Sequence, residues 1–165
     1  MAATEHVGKF APVRLPGATH ALAPSGYVEQ FLHIAIQDRC EIPTGVEVGS
    51  KIYIGDISWD FIPNRDLSTL YFDDFGTGVS IALGDANDPD ALIDGQDVSA
   101  AAGSASLLKT VDIDKHGDPL WKLLGYASRD AAGKTGPKAR LYITIMGANL
   151  GNAASIAWTL AGTLA

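Results

Sequence analysis

The fold of this chain is decided by residues 69–95, TLYFDDFGTGVSIALGDANDPDALIDG. Two apolar runs with period two, residues 70–72 and 79–83, flank a segment that holds two glycines within three residues. Alternation with period two is typical of a strand with one buried face, and closely spaced glycines mark a tight turn. The stretch therefore predicts a β-hairpin, followed by an acidic loop over 84–90 and a short edge strand at 91–93.

The same alternation recurs along the chain. It predicts strands at residues 27–37, 51–55, 57–61, 107–113, 140–146 and 155–161. Residues 99–106 are small and predict a short helix or a loop, and residues 120–126 predict a short strand or a helical turn. Short strands separated by turns at intervals of about 8–12 residues are typical of sandwiches and jelly rolls. The predicted fold class is all-β: one β-sandwich or jelly-roll-like domain over residues 27–165. The strands at both chain ends then need partners or cover at their edges.

Residues 1–26 predict an extended N-terminal arm, because three prolines interrupt any regular pattern. Phe10, Val13 and Leu15 make this segment more apolar than disordered segments usually are. One interpretation is an arm that docks through these three side chains on a neighbouring subunit or on its own domain. The alternative is a disordered terminus.

The net charge of −7 argues against a nucleic-acid-binding protein, which needs basic side chains to neutralise phosphates. Residues 56–97 hold ten Asp and one basic residue, whereas residues 109–140 hold seven basic and four acidic residues. One interpretation is two solvated faces. The other is that the acidic loop of one copy meets the basic segment of another copy or of a larger partner.

Cys40 is the single cysteine, so neither an internal disulfide nor a zinc-binding cysteine cluster is expected. Residues 1–9 lack the layout of a signal peptide, and no apolar run approaches the roughly 20 residues of a membrane helix. We therefore expect synthesis in the cytosol and no membrane partner.

Five oxygen-bearing side chains in the acidic loop are candidate calcium ligands: Asp85, Asn87, Asp88, Asp90 and Asp94. A helix-loop-helix calcium motif needs Gly at its sixth position and Glu at its twelfth, where this loop has Asp and Gln. Asp and Asn beside a proline are also typical turn formers. The turn interpretation is favoured, and no metal site is predicted.

Catalytic patterns are not found in the sequence. Asp73 and Asp74 are adjacent, so on a strand they face opposite ways and make a poor glycosidase pair. The four histidines are scattered, and Gly-Lys-Thr at 133–135 lacks the earlier glycine of a phosphate-binding loop. The three tryptophans lie in alternating apolar runs and are expected in the core. The sequence predicts no catalytic residue and no cofactor.

Several runs of the sequence, residues 43–55, 70–79 and 83–95 with the terminal strands 141–148 and 156–164, resemble small virion proteins of tailed bacteriophages. In those proteins a Gly-Thr-Gly-Val strand, here residues 76–79, leads to a Gly-Asp-x-x-Asp-Pro-Asp turn, here residues 84–90. An Asp-Gly pair follows, here residues 94–95. The resemblance implies a head decoration (cement) or spike protein with a β-sandwich or jelly-roll fold.

The function that this resemblance implies first is a non-enzymatic decoration protein. It would bind the major capsid protein on the outer surface of the virion head, cover joints between shell subunits, and oppose the pressure of packaged DNA. It would act as a homotrimer or homodimer. The alternatives are a receptor- or carbohydrate-binding module of a spike or tail, and a glycan hydrolase on a β scaffold. A sugar binder should expose aromatic side chains, whereas a decoration protein should bury its tryptophans.

Overall fold

The computed structural model describes residues 5–7 and 34–164 and arranges them as two packed β-sheets. Ten strands lie in these residues: β1 (Glu5–Val7), β2 (Ile34–Ile42), β3 (Lys51–Ile57), β4 (Phe61–Pro63), β5 (Thr69–Phe72), β6 (Ser80–Gly84), β7 (Ile93–Asp97), β8 (Gly103–Ser106), β9 (Ala139–Met146) and β10 (Ala154–Leu164). Two short helices, α1 (Leu120–Leu123) and α2 (Arg129–Gly133), and a 3-10 turn at Ile113–Lys115 lie between β8 and β9. The prediction of an all-β sandwich is confirmed, and the jelly-roll arrangement stays a prediction.

Sheet A has the strand order β1-β3-β9-β6-β7, and sheet B has the order β2-β10-β5-β8, with β4 paired to the far end of β10. All pairs are antiparallel except β1 with β3. Residues 5–7 of the predicted arm therefore form a strand at the edge of sheet A. Residues 27–33 of the predicted first strand lie outside the described residues, and its described part continues to Ile42.

The core lies between the two sheets and is built from alternate residues of the central strands. In β9 and β10 the buried set is Leu141, Ile143, Ile145, Ile156, Trp158 and Leu160. The predicted faces of both strands are confirmed. Strand β10, however, is central in sheet B and pairs with β2, β4 and β5. The edges of this chain-end strand are therefore met by partner strands within the domain, which is one of the two ways expected for them.

The predicted hairpin of residues 69–83 is wrong, because its two strands belong to different sheets. Strand β5 pairs with β10 and β8 in sheet B, and β6 pairs with β9 and β7 in sheet A. The connecting residues 73–79 cross between the layers instead of turning within one. Phe75 is fully buried in this crossing, and its carbonyl accepts a hydrogen bond from Gly151 N–H at 3.0 Å. The expected tight turn is present, because Val79 N–H donates to the Gly76 carbonyl at 3.3 Å, but it lies within the crossing and joins no hairpin.

The hairpin that does form joins β6 to β7, and the acidic loop is its connection. Strand β7 is the edge strand of sheet A. An edge strand was predicted at residues 91–93; the observed one covers Ile93–Asp97 and shares only Ile93 with that prediction.

Three other expectations are corrected. Residues 57–61 do not form one strand, because Phe61 N–H donates to the Ser58 carbonyl at 3.1 Å and closes a turn between β3 and β4. Residues 103–106 form β8, not a helix or loop, since β5 supplies a partner strand for these small residues. Residues 107–113 turn back over the core and end in the 3-10 turn, with Leu107 and Leu108 buried.

The oppositely charged segments meet within the chain at two places. Arg140 Nε lies 3.1 Å from Asp56 Oδ1, and Arg129 Nε lies 3.0 Å from Asp60 Oδ1. These intramolecular pairs join the acidic segment to the basic one. Within the described residues, no helix is long and apolar enough to cross a membrane.

Candidate functional site

A cleft of about 530 Å³ lies beside the outer face of sheet A. One side of the cleft is formed by Asp56 of β3 and by Arg140 and Tyr142 of β9. The loop after β6 contributes Asp85, and the segment between α1 and β9 contributes Tyr126 and residues 135–138. Its size falls within the usual range of small-ligand sites. It is therefore the concave surface to consider first in the described part of the chain.

A β-bulge explains why these side chains share the cleft. Tyr53 lies opposite Tyr142 in the register, and Asp56 lies opposite Arg140, with an irregularity between Tyr53 and Gly55. In a regular strand, residues three apart face opposite sides. The extra residue of the bulge turns Asp56 to the same outer face as Tyr53. Opposite charges in directly paired positions then form the ion pair.

Cationic and aromatic groups alternate on this outer face. The Arg140 guanidinium lies 5.7 Å from the centre of the Tyr53 ring, and Lys51 Nζ lies 5.3 Å from the centre of the Tyr142 ring. The two tyrosine rings are 5.8 Å apart. The hydrogen bond to Asp56 and the charge of Asp56 raise the pKa of Arg140, and Tyr142 acts in the same direction. The face therefore offers aromatic rings and permanent positive charge side by side.

Asp85 organises the loop side of the cleft. It is 5% exposed, and its Oδ1 accepts hydrogen bonds from the N–H groups of Asn87 and Asp88, each at 2.8 Å. Its Oδ2 accepts a bond from the Tyr126 hydroxyl at 2.6 Å. Burial, and after it the bond to Asp85, raises the pKa of Tyr126. Both carboxylate oxygens thus hold the loop in shape, and the turn interpretation of this segment is confirmed.

The remaining candidate calcium ligands are distributed around that turn. Asp94 lies on β7, where its N–H donates to Thr110 Oγ1 at 2.7 Å. Asp88 lies beside Asp90, and burial, followed by the contact with Asp90, raises the pKa of Asp88. No group of three or more His, Cys, Asp or Glu residues suited to a metal ion occurs in the part of the chain that the structure describes.

The tryptophans are structural. Trp59 and Trp158 are each 1% exposed, and Trp121 is half-buried against the core. The Trp59 indole N–H donates to the Gly136 carbonyl at 2.9 Å, and its ring packs edge-on against Tyr126 with centroids 5.2 Å apart. Trp59 therefore supports the wall of the cleft without presenting a ring face to it, and the core prediction is confirmed for the two buried tryptophans.

Sequence reasoning named Asp85 and Asn87 of the cleft only as candidate calcium ligands, and it did not bring the residues of the cleft together. The alternation in β9 places Arg140 and Tyr142 opposite its apolar face, and this is the one sequence signal that they lie on the outer side of the sheet. Nothing in the sequence connects them with Asp56 or Tyr126, which lie many residues away. The predicted partner-binding residues Phe10, Val13 and Leu15 lie outside the described residues, and their role stays a prediction.

Comparisons with known proteins identify the fold. In sequence, the chain matches no family model and no curated protein. In structure, it is similar to a chain of the cyanophage Pam1 capsid asymmetric unit, with a TM-score of 0.53 and 13% identity over 92% of this chain and 99% of that one. A chain from the capsid of Ralstonia phage GP4 gives a TM-score of 0.47 and 17% identity over 81% of this chain and 84% of that one. The first similarity shows a fold shared over almost the full length of both chains.

Proposed function

We propose that this chain is a non-enzymatic virion structural protein, and specifically a decoration (cement) protein of a bacteriophage head. The observation that carries the proposal is the sandwich shared with a chain of the cyanophage Pam1 capsid asymmetric unit. Because 92% of one chain aligns with 99% of the other, the two chains have similar lengths. The capsid chain is thus a small separate chain with this fold, as a decoration protein would be.

The distribution of side chains supports this role over a sugar-binding one. Both fully buried tryptophans belong to the core, and Tyr71 is the large aromatic side chain most exposed in the described residues, at 55%. Ala157 and Thr69 lie beside it on the outer face of sheet B. A groove of about 310 Å³ on this face is lined by Tyr71, Ala157 and Thr159 together with Gln37, Asp38 and Arg39, so the face offers polar and charged contacts to a protein surface.

In this proposal, the sandwich domain of residues 27–165 binds the major capsid protein at the capsid surface, and the arm of residues 1–26 strengthens attachment. Phe10, Val13 and Leu15 are the arm's contact residues, toward the shell or toward a sister subunit of a homotrimer or homodimer. Binding across joints between shell subunits would oppose their separation under internal pressure. No chemical step is required.

Co-sedimentation of the purified protein with expanded, empty phage capsids tests the proposal. We expect saturable binding at a fixed ratio to capsid subunits, and decorated capsids that resist heating better than bare ones. Unexpanded capsids serve as the control, because their subunit joints have a different spacing. Absence of the protein from the capsid pellet at every concentration would overturn the assignment.

A second candidate function, a receptor- or carbohydrate-binding module of a spike or tail, is favoured by the cleft. Its aromatic and charged side chains, Tyr142, Arg140 and Asp56, are of the kinds that hydrogen-bond and stack on sugars. Binding to host-surface glycans, lost in Tyr142→Ala, would support this function. Capsid binding that Tyr142→Ala leaves intact, without glycan binding, would exclude it in favour of decoration.

A further inference from the structure

Strand β8 is an open edge of sheet B. It pairs with β5 on one side and with no other strand in residues 5–7 and 34–164. Residues 100–104 are exposed, so no described segment covers this edge. A row of unpaired N–H and C=O groups at a sheet edge is a template for another strand.

The register shows which backbone groups of β8 are free. Leu107 N–H donates to the Ser68 carbonyl, and hydrogen-bonded pairs alternate along an antiparallel ladder. The pairs of Ala105 with Leu70 and of Gly103 with Phe72 are therefore the bonded ones. Ser104 lies between these two pairs, and Ser106 lies between Ala105 and Leu107, so the N–H and C=O groups of both serines point away from β5.

Other edges of the described sandwich carry protection against added strands. Strand β2 carries Asp38, Arg39 and Glu41. Strand β7 carries two aspartates and Gly95, whose φ of 64° bends the edge. Charge and irregular backbone are the usual means of keeping an edge from pairing.

Strand β8 has none of these devices. Its sequence is Gly-Ser-Ala-Ser, with no charge and no proline. A Cβ on Gly103 would lie 3.1 Å from two atoms of the Phe72 ring, so this ring packs directly against the strand. The pairing of β8 with β5 shows no register shift, so the edge carries no charge, proline or bulge that would block an added strand.

The charge near this edge indicates which kind of segment can bind to it. Strand β7, the edge of sheet A that precedes β8 in the chain, carries Asp94 and Asp97, both exposed. Lys109 Nζ donates to Gln96 Oε1 between them at 2.7 Å and offsets one of these two charges, which leaves the edge with a net negative charge. Two copies joined through β8 by a two-fold axis would turn their acidic β7 edges toward each other, which is unfavourable. An extended segment that bears basic side chains fits the same edge favourably.

We propose that β8 is an acceptor edge, to which a partner protein adds one extended segment of basic character as an extra strand of sheet B. This inference rests on the proposed function, since it assigns the segment to a protein of the capsid shell. Main-chain hydrogen bonds to Ser104 and Ser106 supply the affinity, and the small side chains of β8 leave room for the partner's side chains.

The test compares Ser104→Pro with Ser104→Ala in the full-length chain, by co-sedimentation with expanded empty capsids. Proline at position 104 removes the outward N–H but no hydrogen bond to β5. The preceding residue, Gly103, has no Cβ and therefore leaves room for the proline ring. We expect Ser104→Pro to weaken capsid binding roughly tenfold or more. Ser104→Ala keeps the backbone donor and should bind like the parent protein.

A second variant, Ser104→Lys, keeps every backbone group and repels a basic segment, so it covers the case in which Ser104→Pro does not fold. It should bind capsids more weakly than Ser104→Ala. Amide exchange at Ser104 and Ser106 should slow when the parent protein is capsid-bound. Parent protein that never sediments with capsids overturns the proposed function. Capsid binding that survives both Ser104→Pro and Ser104→Lys overturns the acceptor edge alone. A dimer that Ser104→Pro dissociates identifies a second copy as the occupant and overturns the choice of partner.

Discussion

Gly147 and Gly45 share a backbone angle but not an environment. Both have φ of 77°, in the left-handed region that side chains disfavour. A Cβ on Gly147 would lie 2.3 Å from the Gly78 carbonyl oxygen, whereas a Cβ on Gly45 would meet nothing within 4 Å. The chain approaches itself closely at Gly147, where β9 ends beside the crossing of residues 73–79.

This pair separates backbone strain from crowding. We expect Gly45→Ala to lower the free energy of unfolding by about 1–2 kcal/mol, the cost of the left-handed angle. Gly147→Ala should cost roughly 1–3 kcal/mol more, because the carbonyl must also move. Urea unfolding monitored by tryptophan fluorescence measures both values. Equal losses in the two variants would show that the contact at Gly147 relaxes without cost.

The acidic hairpin between β6 and β7 shows how an element combines opposite electrostatic effects. Burial and the neighbouring Asp90 raise the pKa of Asp88. At the other end of the hairpin, Asp97 accepts a bond from Ser99 N–H at 2.9 Å, and the hydrogen bonds with Ser99 lower the pKa of Asp97. Ionisation of Asp88 therefore opposes folding, whereas ionisation of Asp97 favours it.

We expect Asp88→Asn to stabilise the protein at neutral pH. When the folded-state pKa of a carboxyl is raised, the protein loses stability as pH rises through the acid range, because the carboxyl ionises more readily in the unfolded chain. The amide stays neutral and removes that loss, for a gain of roughly 0.2–1 kcal/mol, since solvent screens a site near the surface. The gain should disappear as the pH falls below the ordinary pKa of aspartate. Thermal unfolding at a series of pH values measures it.

Asp97→Asn is the control of opposite sign. In the parent protein, the lowered pKa of Asp97 stabilises the fold at pH values above the unfolded-state pKa. This contribution is lost as pH falls through the folded-state pKa. Asp97→Asn should therefore destabilise the protein at neutral pH and have no effect in strong acid. If both variants shift stability in the same direction at neutral pH, the assigned electrostatics of the hairpin are wrong.

At the scale of the whole molecule, the arm is tested by changing its apolar side chains while keeping β1. We expect Phe10→Ser, Val13→Ser and Leu15→Ser together to weaken capsid binding or self-association by more than tenfold, because burying each large side chain is worth roughly 1.5–3 kcal/mol. The sandwich should stay folded by circular dichroism. Capsid co-sedimentation and analytical ultracentrifugation measure the two kinds of attachment.

The matched control for the arm carries Ala11→Ser, Ala18→Ser and Ala21→Ser, which introduces the same three hydroxyl groups in the same segment. It should retain binding, since little apolar area is lost. A triple apolar variant that binds capsids and associates like the control would leave the arm without a role in attachment.

The sequence by itself determined the positions and the buried faces of strands β9 and β10, because side chains alternate along a strand by local geometry. It also determined the turn at Asp85, whose short side chain bonds to the N–H groups just after it. These features depend on residues close together in the chain, so a sequence window contains the information needed.

Only the tertiary structure decided which strands pair. It placed β5 and β6 in different sheets, made β10 central, and gave residues 103–106 a partner strand. It also turned Asp56 toward Arg140 through a bulge that alternation does not predict. The physical reason is that main-chain hydrogen bonds between strands are alike at every position. Their pairing is therefore selected by long-range packing, such as Phe75 in the core, and no local pattern of side chains specifies it.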